Sequence, residues 1–73
     1  MKRRLLLRAL RASQEPKVSQ SQLARKAGLA SFRYWQIENG EGPPPTKDER
    51  DAVAAALDVS VGSIEWPEVG VTA

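Results

Sequence analysis

The stretch VSQSQLARKAGLASFRYWQIENG, residues 18–40, decides the fold. Ser19 and Gln22 stand three positions apart, the spacing of a capping box, so a helix is predicted to begin at Gln20. Gly28 is predicted to end this helix, because glycine readily adopts the left-handed conformation that terminates helices. The first half of the stretch therefore predicts a short helix followed by a sharp change of chain direction.

A second helix is predicted in the same stretch, from about Ala30 to Asn39. Asn39 and Gly40 can end it by the same left-handed geometry. The two helices are then roughly eight and ten residues long with about three residues between them, which is the helix-turn-helix outline. Ala30 has no side chain that could cap the second helix, so its start is either uncapped or capped by Ser31.

Residues that match a known pattern at fixed spacing extend through this stretch and beyond it. They are Ser19-Gln20, Leu23-Ala24, Ala27-Gly28, Ile37-Glu38-Asn39-Gly40, Pro45, Leu57, Val59-Ser60 and Ile64. With these residues the chain resembles the Cro, lambda-repressor and Xre group of prokaryotic and phage DNA-binding domains. The resemblance implies an all-α, five-helix lambda-repressor-like domain over residues 1–66, with residues 67–73 as a C-terminal tail.

Three further helices complete this expected fold. Helix 1 is predicted from Lys2 to Ser13, with a buried stripe of leucines spaced three and four residues apart. Helices 2 and 3 are the pair described above. Helix 4 is predicted to begin with a capping box at Thr46 and to end at Leu57, and a short helix 5 is predicted just before Pro67. The leucines of the helix 1 stripe are Leu6, Leu7 and Leu10.

Helical periodicity divides helix 3 into two faces. Ala30, Tyr34, Ile37 and Glu38 are predicted to face the core, and Phe32, Trp35, Gln36 and Asn39 are predicted to face outward. A soluble domain does not normally expose such an aromatic surface, so a partner is expected there, and the major groove of B-DNA admits a helix. For Trp35 two interpretations stay open, a contact with the groove and packing against the C-terminal tail.

The resemblance places the base-reading positions of the family on Ser31, Phe32, Arg33 and Gln36. Gln36 can pair with the N6 and N7 atoms of adenine, and Phe32 can contact the methyl group of thymine. Arg33 can reach guanine or a phosphate. The alternative for Phe32 is a place in the hydrophobic core.

Contacts with DNA phosphates are predicted before the motif and at the ends of its two helices. The residues are Lys2, Arg3, Arg4, Lys17 and Gln20, together with the backbone N–H groups of Asn39 and Gly40. Gln20 is included because it matches a phosphate contact of the family at a helix N-terminus, where the dipole favours anions. The alternative for the basic residues of helix 1 is a solvated helix face.

The resemblance implies two further interactions. Arg11 occupies the position from which the family's helix 1 arginine pairs with the glutamate of Glu-Asn-Gly, so Arg11 and Glu38 are predicted to form an internal salt bridge. The alternative is an ordinary exposed pair of little energetic value. Trp66 lies near the carboxyl edge, where relatives often make a two-fold contact, and is the candidate for a dimer interface. Its alternative is a cap on the core.

Charge and composition restrict the possible functions. Residues 1–36 carry a net charge of +8 and residues 37–73 a net charge of −6, so one half of the domain suits a polyanion. The chain has no cysteine and no histidine, which excludes thiol nucleophiles, the usual zinc sites and the commonest general base. We expect no enzymatic activity, no cofactor and no bound metal. The apolar run at residues 5–7 is cut by Arg8, so a cytoplasmic location is expected, in a prokaryotic or phage-infected cell.

These observations predict a sequence-specific regulator of transcription that binds double-stranded DNA. The resemblance favours a Cro/Xre-type repressor, a homodimer that places two copies of helix 3 in major grooves about 34 Å apart on a near-palindromic operator. Neither a membrane nor a small-molecule ligand is expected as a partner. The rival hypothesis is a protein-interaction module, an antitoxin or anti-repressor, that binds through the aromatic face of helix 3. The prolines at residues 43–45 could alternatively be a docking motif.

Overall fold

Two of the helices begin at the capping boxes that the sequence predicts. A computed structural model of the chain describes residues 4–67. Within that range four α-helices and a small parallel sheet enclose one hydrophobic core. The elements in chain order are β1 (Leu5–Leu6), α1 (Leu7–Ala12), α2 (Gln20–Ala27), α3 (Ser31–Asn39), α4 (Lys47–Leu57), a 3₁₀ turn (Val61–Ser63) and β2 (Ile64–Glu65).

Both predicted capping boxes are confirmed. At the start of α2 the Ser19 hydroxyl accepts the Gln22 N–H at 3.1 Å, and the Gln22 side chain accepts the Ser19 N–H at 2.9 Å. Thr46 and Glu49 make the same reciprocal pair of bonds at the start of α4. Each box satisfies two backbone donors that would otherwise lack partners, which fixes where the helix begins.

Left-handed residues end α2, α3 and α4. Gly28 follows α2 with φ 73°, and Gly40 follows α3 with φ 69°. Asp58 takes the same conformation after α4, with φ 58°. The turn between α2 and α3 lets Leu29 pack against the core. Ala30 stands at the N-cap of α3 without a side-chain hydrogen bond. It is exposed, so its predicted place on the core face is wrong.

The core is built on α2, which packs against both α3 and α4. Leu23 and Ala24 of α2 are completely buried, and the small Ala24 side chain lets the neighbouring helices approach closely. The buried hydrophobic side chains are Leu7, Leu10, Leu23, Ala24, Tyr34, Ile37, Val53, Ala54, Leu57 and Ile64. The helix-turn-helix therefore packs on α4 through α2.

The amino-terminal segment differs from the predicted helix 1. Helix α1 begins only at Leu7, and the two residues before it form strand β1. Leu5 pairs with Ile64 and Leu6 with Glu65 in a parallel sheet. The run of leucines fits a strand as well as a helix, and pairing supplies the backbone hydrogen bonds that a helix would otherwise make. Leu6 is consequently 51% exposed, so its predicted place in the buried stripe is wrong.

The carboxyl end differs from the predicted fold for the same reason. The segment expected to form helix 5 contains one 3₁₀ turn, after which Ile64 and Glu65 are extended and pair with β1. Ile64 is buried in this extended conformation, with φ −101° and ψ 132°. The described residues thus form four α-helices with a small sheet, and a 3₁₀ turn stands in place of the predicted helix 5, so the count of five helices is not confirmed.

Candidate nucleic-acid interface

The inner face of α3 is fixed to the rest of the domain by one carboxylate. Glu38 is the only charged residue in the described core, and its side chain is almost completely buried. Arg11 of α1, the predicted partner, donates from Nε to Oε1 at 2.7 Å and from Nη2 to Oε2 at 2.9 Å. Such a fork-to-fork pair fixes both the distance and the orientation of the two side chains.

Two more side chains complete the coordination of Glu38. The Tyr34 hydroxyl donates to Oε1 at 2.8 Å, and the Gln20 amide donates to Oε2 at 2.6 Å. Arg11 also donates to the backbone carbonyl of Val18 at 3.0 Å. The network joins α1, α2 and α3, so the orientation of α3 is set by α1 and by the first residue of α2. Among residues 4–67, every buried side-chain nitrogen and oxygen has a hydrogen-bond partner.

The charge state of Glu38 follows from this network. Burial alone raises the pKa of a carboxyl group, but the donors from Arg11, Gln20 and Tyr34 more than offset this effect and leave the pKa of Glu38 below its ordinary value. Burial and the same carboxylate raise the pKa of Tyr34, which keeps its hydroxyl protonated as a donor. The network is therefore a stable ionised unit at neutral pH.

Gln20 has a different environment from the one predicted. Its side chain, expected on a phosphate, turns inward to Glu38. The backbone N–H groups of the first turn of α2 that the capping box leaves unused then remain to meet a phosphate, as they do at other helix N-termini. The environments of Asn39 and Gly40 are those of a helix end. The Asn39 side-chain amide donates to the Trp35 carbonyl, and the Gly40 backbone N–H donates to the Gln36 and Ile37 carbonyls. The backbone N–H of Gly40 is thus used to end the helix.

The outer face of α3 carries an exposed pair of aromatic rings. Phe32 is 67% exposed and Trp35 is 39% exposed. The two rings stack on each other, with 5.8 Å between centroids and an angle of 12° between their planes. Phe32 is therefore not a core residue, and Trp35 supports it from the neighbouring turn. The alternative that Trp35 packs on the tail concerns residues 67–73, of which all but Pro67 lie outside the described range.

Arg33 is held at the edge of this face by the loop after α3. Its Nε and Nη2 donate to the two oxygens of Glu49 at 2.8 and 2.7 Å. Its Nη1 and Nη2 also donate to the carbonyls of Pro43 and Pro44 at 3.1 and 3.3 Å. The residue expected to contact guanine or phosphate instead ties α3 to the proline run and to α4. A base contact by Arg33 would require these bonds to break.

Gln36 lies half-buried between Arg33 and the same loop. Its Oε1 accepts a long bond of 3.4 Å from Nη1 of Arg33. A Cβ atom at Gly42 would lie 2.5 Å from its Nε2, so the Gln36 amide packs directly on the backbone of that glycine. Of the four predicted base readers, the structure thus leaves Ser31 and Phe32 exposed and holds Arg33 and Gln36 against the loop.

A family model described as a helix-turn-helix domain matches residues 4–66, which is most of the chain. The chain belongs to this helix-turn-helix family. This match confirms the resemblance on which the sequence analysis relies. No curated protein and no solved structure matches the chain significantly.

The basic half of the helix-turn-helix domain presents exposed cations. Arg4, Arg8, Lys17, Arg25 and Lys26 are exposed, and none of them makes an ion pair with another residue of the described range. Lys17, Arg25 and Lys26 share one cleft of about 320 Å³ between the loop before α2 and α2 itself. Arg25 and Lys26 are not among the phosphate contacts predicted from the sequence, although their positions on the polar face of helix 2 could have suggested them. Lys2 and Arg3 lie outside the described residues.

Trp66 packs against the core of the helix-turn-helix domain. It is partly buried, and its indole N–H donates to the Val61 carbonyl at 3.3 Å. This is the geometry of the core-capping alternative. A role for Trp66 in dimer formation stays a prediction.

Residues 4–67 contain neither a candidate metal cluster nor a helix suited to a membrane. Among residues 4–67 no group of three or more acidic, histidine or cysteine side chains could hold a metal ion. No helix in that range has the length and apolar character needed to cross a membrane.

Proposed function

We propose that this helix-turn-helix protein is a sequence-specific regulator of transcription that binds duplex DNA. In this proposal it is a Cro/Xre-type repressor that binds as a homodimer to a near-palindromic operator, with α3 of each copy in a major groove. The observation that carries the proposal is the contrast between the two faces of α3. Tyr34, Ile37 and Glu38 are buried, whereas Phe32 and Trp35 are exposed on the same helix.

Rigid presentation is what base reading requires. A recognition surface discriminates between bases only if its side chains are held within a fraction of an ångström, and sites on helices achieve this better than sites on loops. The four hydrogen bonds to Glu38 set the orientation of α3 relative to α1 and α2. The bonds from Arg33 to Glu49 fix its other edge. Ser31 and Phe32 lie in its first turn, which is the part of a recognition helix that meets base edges.

The exposed cations supply affinity that does not depend on sequence. Arg4, Arg8 and Lys17 lie in the amino-terminal half, and the cleft that holds Lys17 also holds Arg25 and Lys26. Neutralised phosphates release counterions, so binding should weaken steeply as salt concentration rises. Repression is the expected effect on transcription, because occupancy of a promoter excludes polymerase without any additional contact surface.

The proposal is tested by selection from random duplexes with the purified protein, followed by titration of the enriched duplex at 50 and 200 mM salt. We expect an enriched inverted repeat whose affinity falls by roughly a thousandfold or more between these concentrations, the loss that release of counterions from six or more phosphates produces. Trp66→Ala provides a separate measurement of whether the carboxyl edge contributes to dimer formation, by its sedimentation and by cooperativity on the repeat. Failure to enrich any sequence would contradict the proposal.

A second function is favoured by the stacked pair of Phe32 and Trp35. An exposed aromatic surface of this kind also suits a protein partner, as in an antitoxin or anti-repressor. Salt separates the two functions, because a hydrophobic protein contact is much less sensitive to ionic strength than phosphate binding. If no duplex is enriched, Phe32 and Trp35 become the residues to test against a protein partner.

A further inference from the structure

We infer that α3 recognises its operator mainly through the 5-methyl groups of thymines, which pack on the surface formed by the stacked rings of Phe32 and Trp35. This inference rests on the proposed function, because it names what the same face reads once it is in the major groove. It concerns the chemistry of recognition, in which hydrophobic contact takes the place of the usual paired hydrogen bonds.

Arg33 and Gln36, the residues expected to read bases by hydrogen bonds, already use their polar groups within the domain. All three nitrogens of the Arg33 guanidinium already donate, to Glu49, to Gln36 and to the carbonyls of Pro43 and Pro44. Gln36 packs on Gly42 and accepts from Arg33, so its amide is directed along the loop. Bidentate pairing with guanine or adenine would require either side chain to leave these contacts.

The surface of α3 that remains exposed is aromatic. Phe32 lies near the centre of the outward face, since it is about 170° around the helix from the centre of the buried residues Tyr34, Ile37 and Glu38. It is 67% exposed, and its ring is held by the Trp35 ring stacked against it. A side chain that is both exposed and supported offers apolar area with little loss of conformational freedom on binding.

The major groove of DNA offers one methyl group to such an aromatic surface. Thymine is the only unmodified base that presents a methyl group in the major groove, whereas the other bases present polar edges there. A polar edge covered by an aromatic ring loses its water without gaining a hydrogen bond, which is unfavourable. The stacked rings therefore favour thymine through two effects. They bury its methyl group, and they disfavour the polar edges of guanine and cytosine. The expected operator has thymines at equivalent positions of both half-sites.

The test changes the DNA and leaves the protein as it is. In the enriched duplex, thymines are replaced singly by deoxyuridine, which removes the methyl group and keeps the same base pairing. Burial of one methyl-sized group corresponds to about a fourfold change in affinity, so each contacted position should weaken binding by about fourfold. 5-Bromouracil, whose substituent is close to methyl in size, should restore the affinity. Uracil in the flanking sequence should have no effect and is the control for altered DNA shape.

A matched protein variant assigns the effect to the aromatic rings. Phe32→Ala should weaken binding to the thymine duplex and should bind thymine and uracil duplexes equally. Leu5→Ala, which truncates another exposed apolar side chain outside α3, should keep the full difference. The melting temperature of each variant checks that both are folded.

The outcomes separate this inference from the proposed function. An enriched duplex that binds equally well with uracil at every position would overturn the inference and leave DNA recognition standing. A uracil effect that persists unchanged in Phe32→Ala would also overturn it. If no duplex is enriched at all, it is the proposed function that fails.

Discussion

Two arginine–glutamate pairs hold α3 in place, and they differ in environment. In the Arg11–Glu38 pair the carboxylate side chain is 2% exposed and receives four hydrogen bonds from three residues. In the Arg33–Glu49 pair the carboxylate side chain is 20% exposed. Arg33 is its one side-chain donor in the described range, and the Thr46 backbone N–H also donates to it. The inner pair belongs to the core, whereas the outer pair lies at the rim of the proposed DNA surface.

The difference between the pairs indicates different roles. A buried carboxylate with four donors cannot exchange its partner without leaving a charge unpaired, so the inner pair fixes the orientation of α3. A rim pair at the same distance of 2.7 Å is worth much less, and a phosphate can compete for its arginine. The inner pair thus maintains the fold, and the outer pair can respond to DNA.

The largest effect is expected from breaking the inner pair. Glu38→Gln keeps the shape of the side chain but leaves Arg11 without its charged partner and gives Tyr34 and Gln20 a poorer acceptor. We expect a loss of about 3 to 5 kcal/mol in the free energy of unfolding, measured by urea denaturation. For a domain of this size, such a loss leaves little residual stability.

The control for this variant is Glu41→Gln, which removes an exposed carboxylate just beyond the end of α3. It should change the free energy of unfolding by less than about 0.5 kcal/mol. A Glu38→Gln protein as stable as the Glu41→Gln protein would mean that the four hydrogen bonds do not hold α3 in place.

The next effect concerns the loop that holds the outer pair. Gly42 and Gly28 both have left-handed backbones, with φ 69° and 73°, but a Cβ atom at Gly28 would meet nothing within 4 Å. Alanine should therefore cost about 1 to 2 kcal/mol at either position through backbone strain. At Gly42 the new Cβ should also displace the flexible end of Gln36, which lies 2.5 Å from it.

The two glycine variants therefore separate stability from DNA reading. Gly42→Ala should release the Gln36 amide from the loop so that it can reach a base, which should alter base preference at one position in each half-site by a few-fold, about 1 kcal/mol. Gly28→Ala should leave the preference unchanged. Selection experiments with both variants provide the measurement. Equal base preferences in the two variants would show that the contact between Gln36 and Gly42 has no influence on recognition.

The elements that could be predicted from the sequence are those that depend on residues close together in the chain. The ends of α2 and α4 follow from Ser19 with Gln22 and from Thr46 with Glu49, because a capping box needs only residues three positions apart. Strand β1 was missed because it forms only when Leu5 meets Ile64, near the other end of the chain. No local pattern distinguishes its leucines from the start of a helix.

The candidate site shows the same division. The Arg11–Glu38 pair could be anticipated from a resemblance that fixes both positions in the motif. The Arg33–Glu49 pair could not, because it depends on the path of residues 41–45, which brings α4 beside α3 and places two proline carbonyls on the guanidinium. The resemblance names Arg33 as a base reader, but no pattern in the sequence identifies Glu49 as its partner.

The smallest effect on stability is expected from breaking the outer pair. The hydrogen bonds from Arg33, together with those at Thr46, lower the pKa of Glu49 to about 2, so the folded protein binds a proton at this carboxylate less readily than the unfolded chain. The contribution of the pair is then complete above about pH 5 and is lost as the pH falls from about 4.5 towards 2. Glu49→Gln can still accept the Thr46 N–H, so it should lose less than about 1 kcal/mol at pH 7 and should remove this part of the acid sensitivity.

Glu49→Gln should have a clearer effect on DNA binding than on stability. It releases Arg33 towards phosphate, so the slope of log affinity against log salt should steepen by about one for each domain bound. Asp51→Asn is the matched control, because it also removes one carboxylate from α4. The partner of Asp51 is the exposed Lys47, so this variant leaves Arg33 in its bonds. Removal of a negative charge alone would shift both variants equally, whereas release of Arg33 predicts a steeper slope only in Glu49→Gln. Equal slopes would mean that the outer pair stays closed on DNA and that Arg33 acts only as a support for α3.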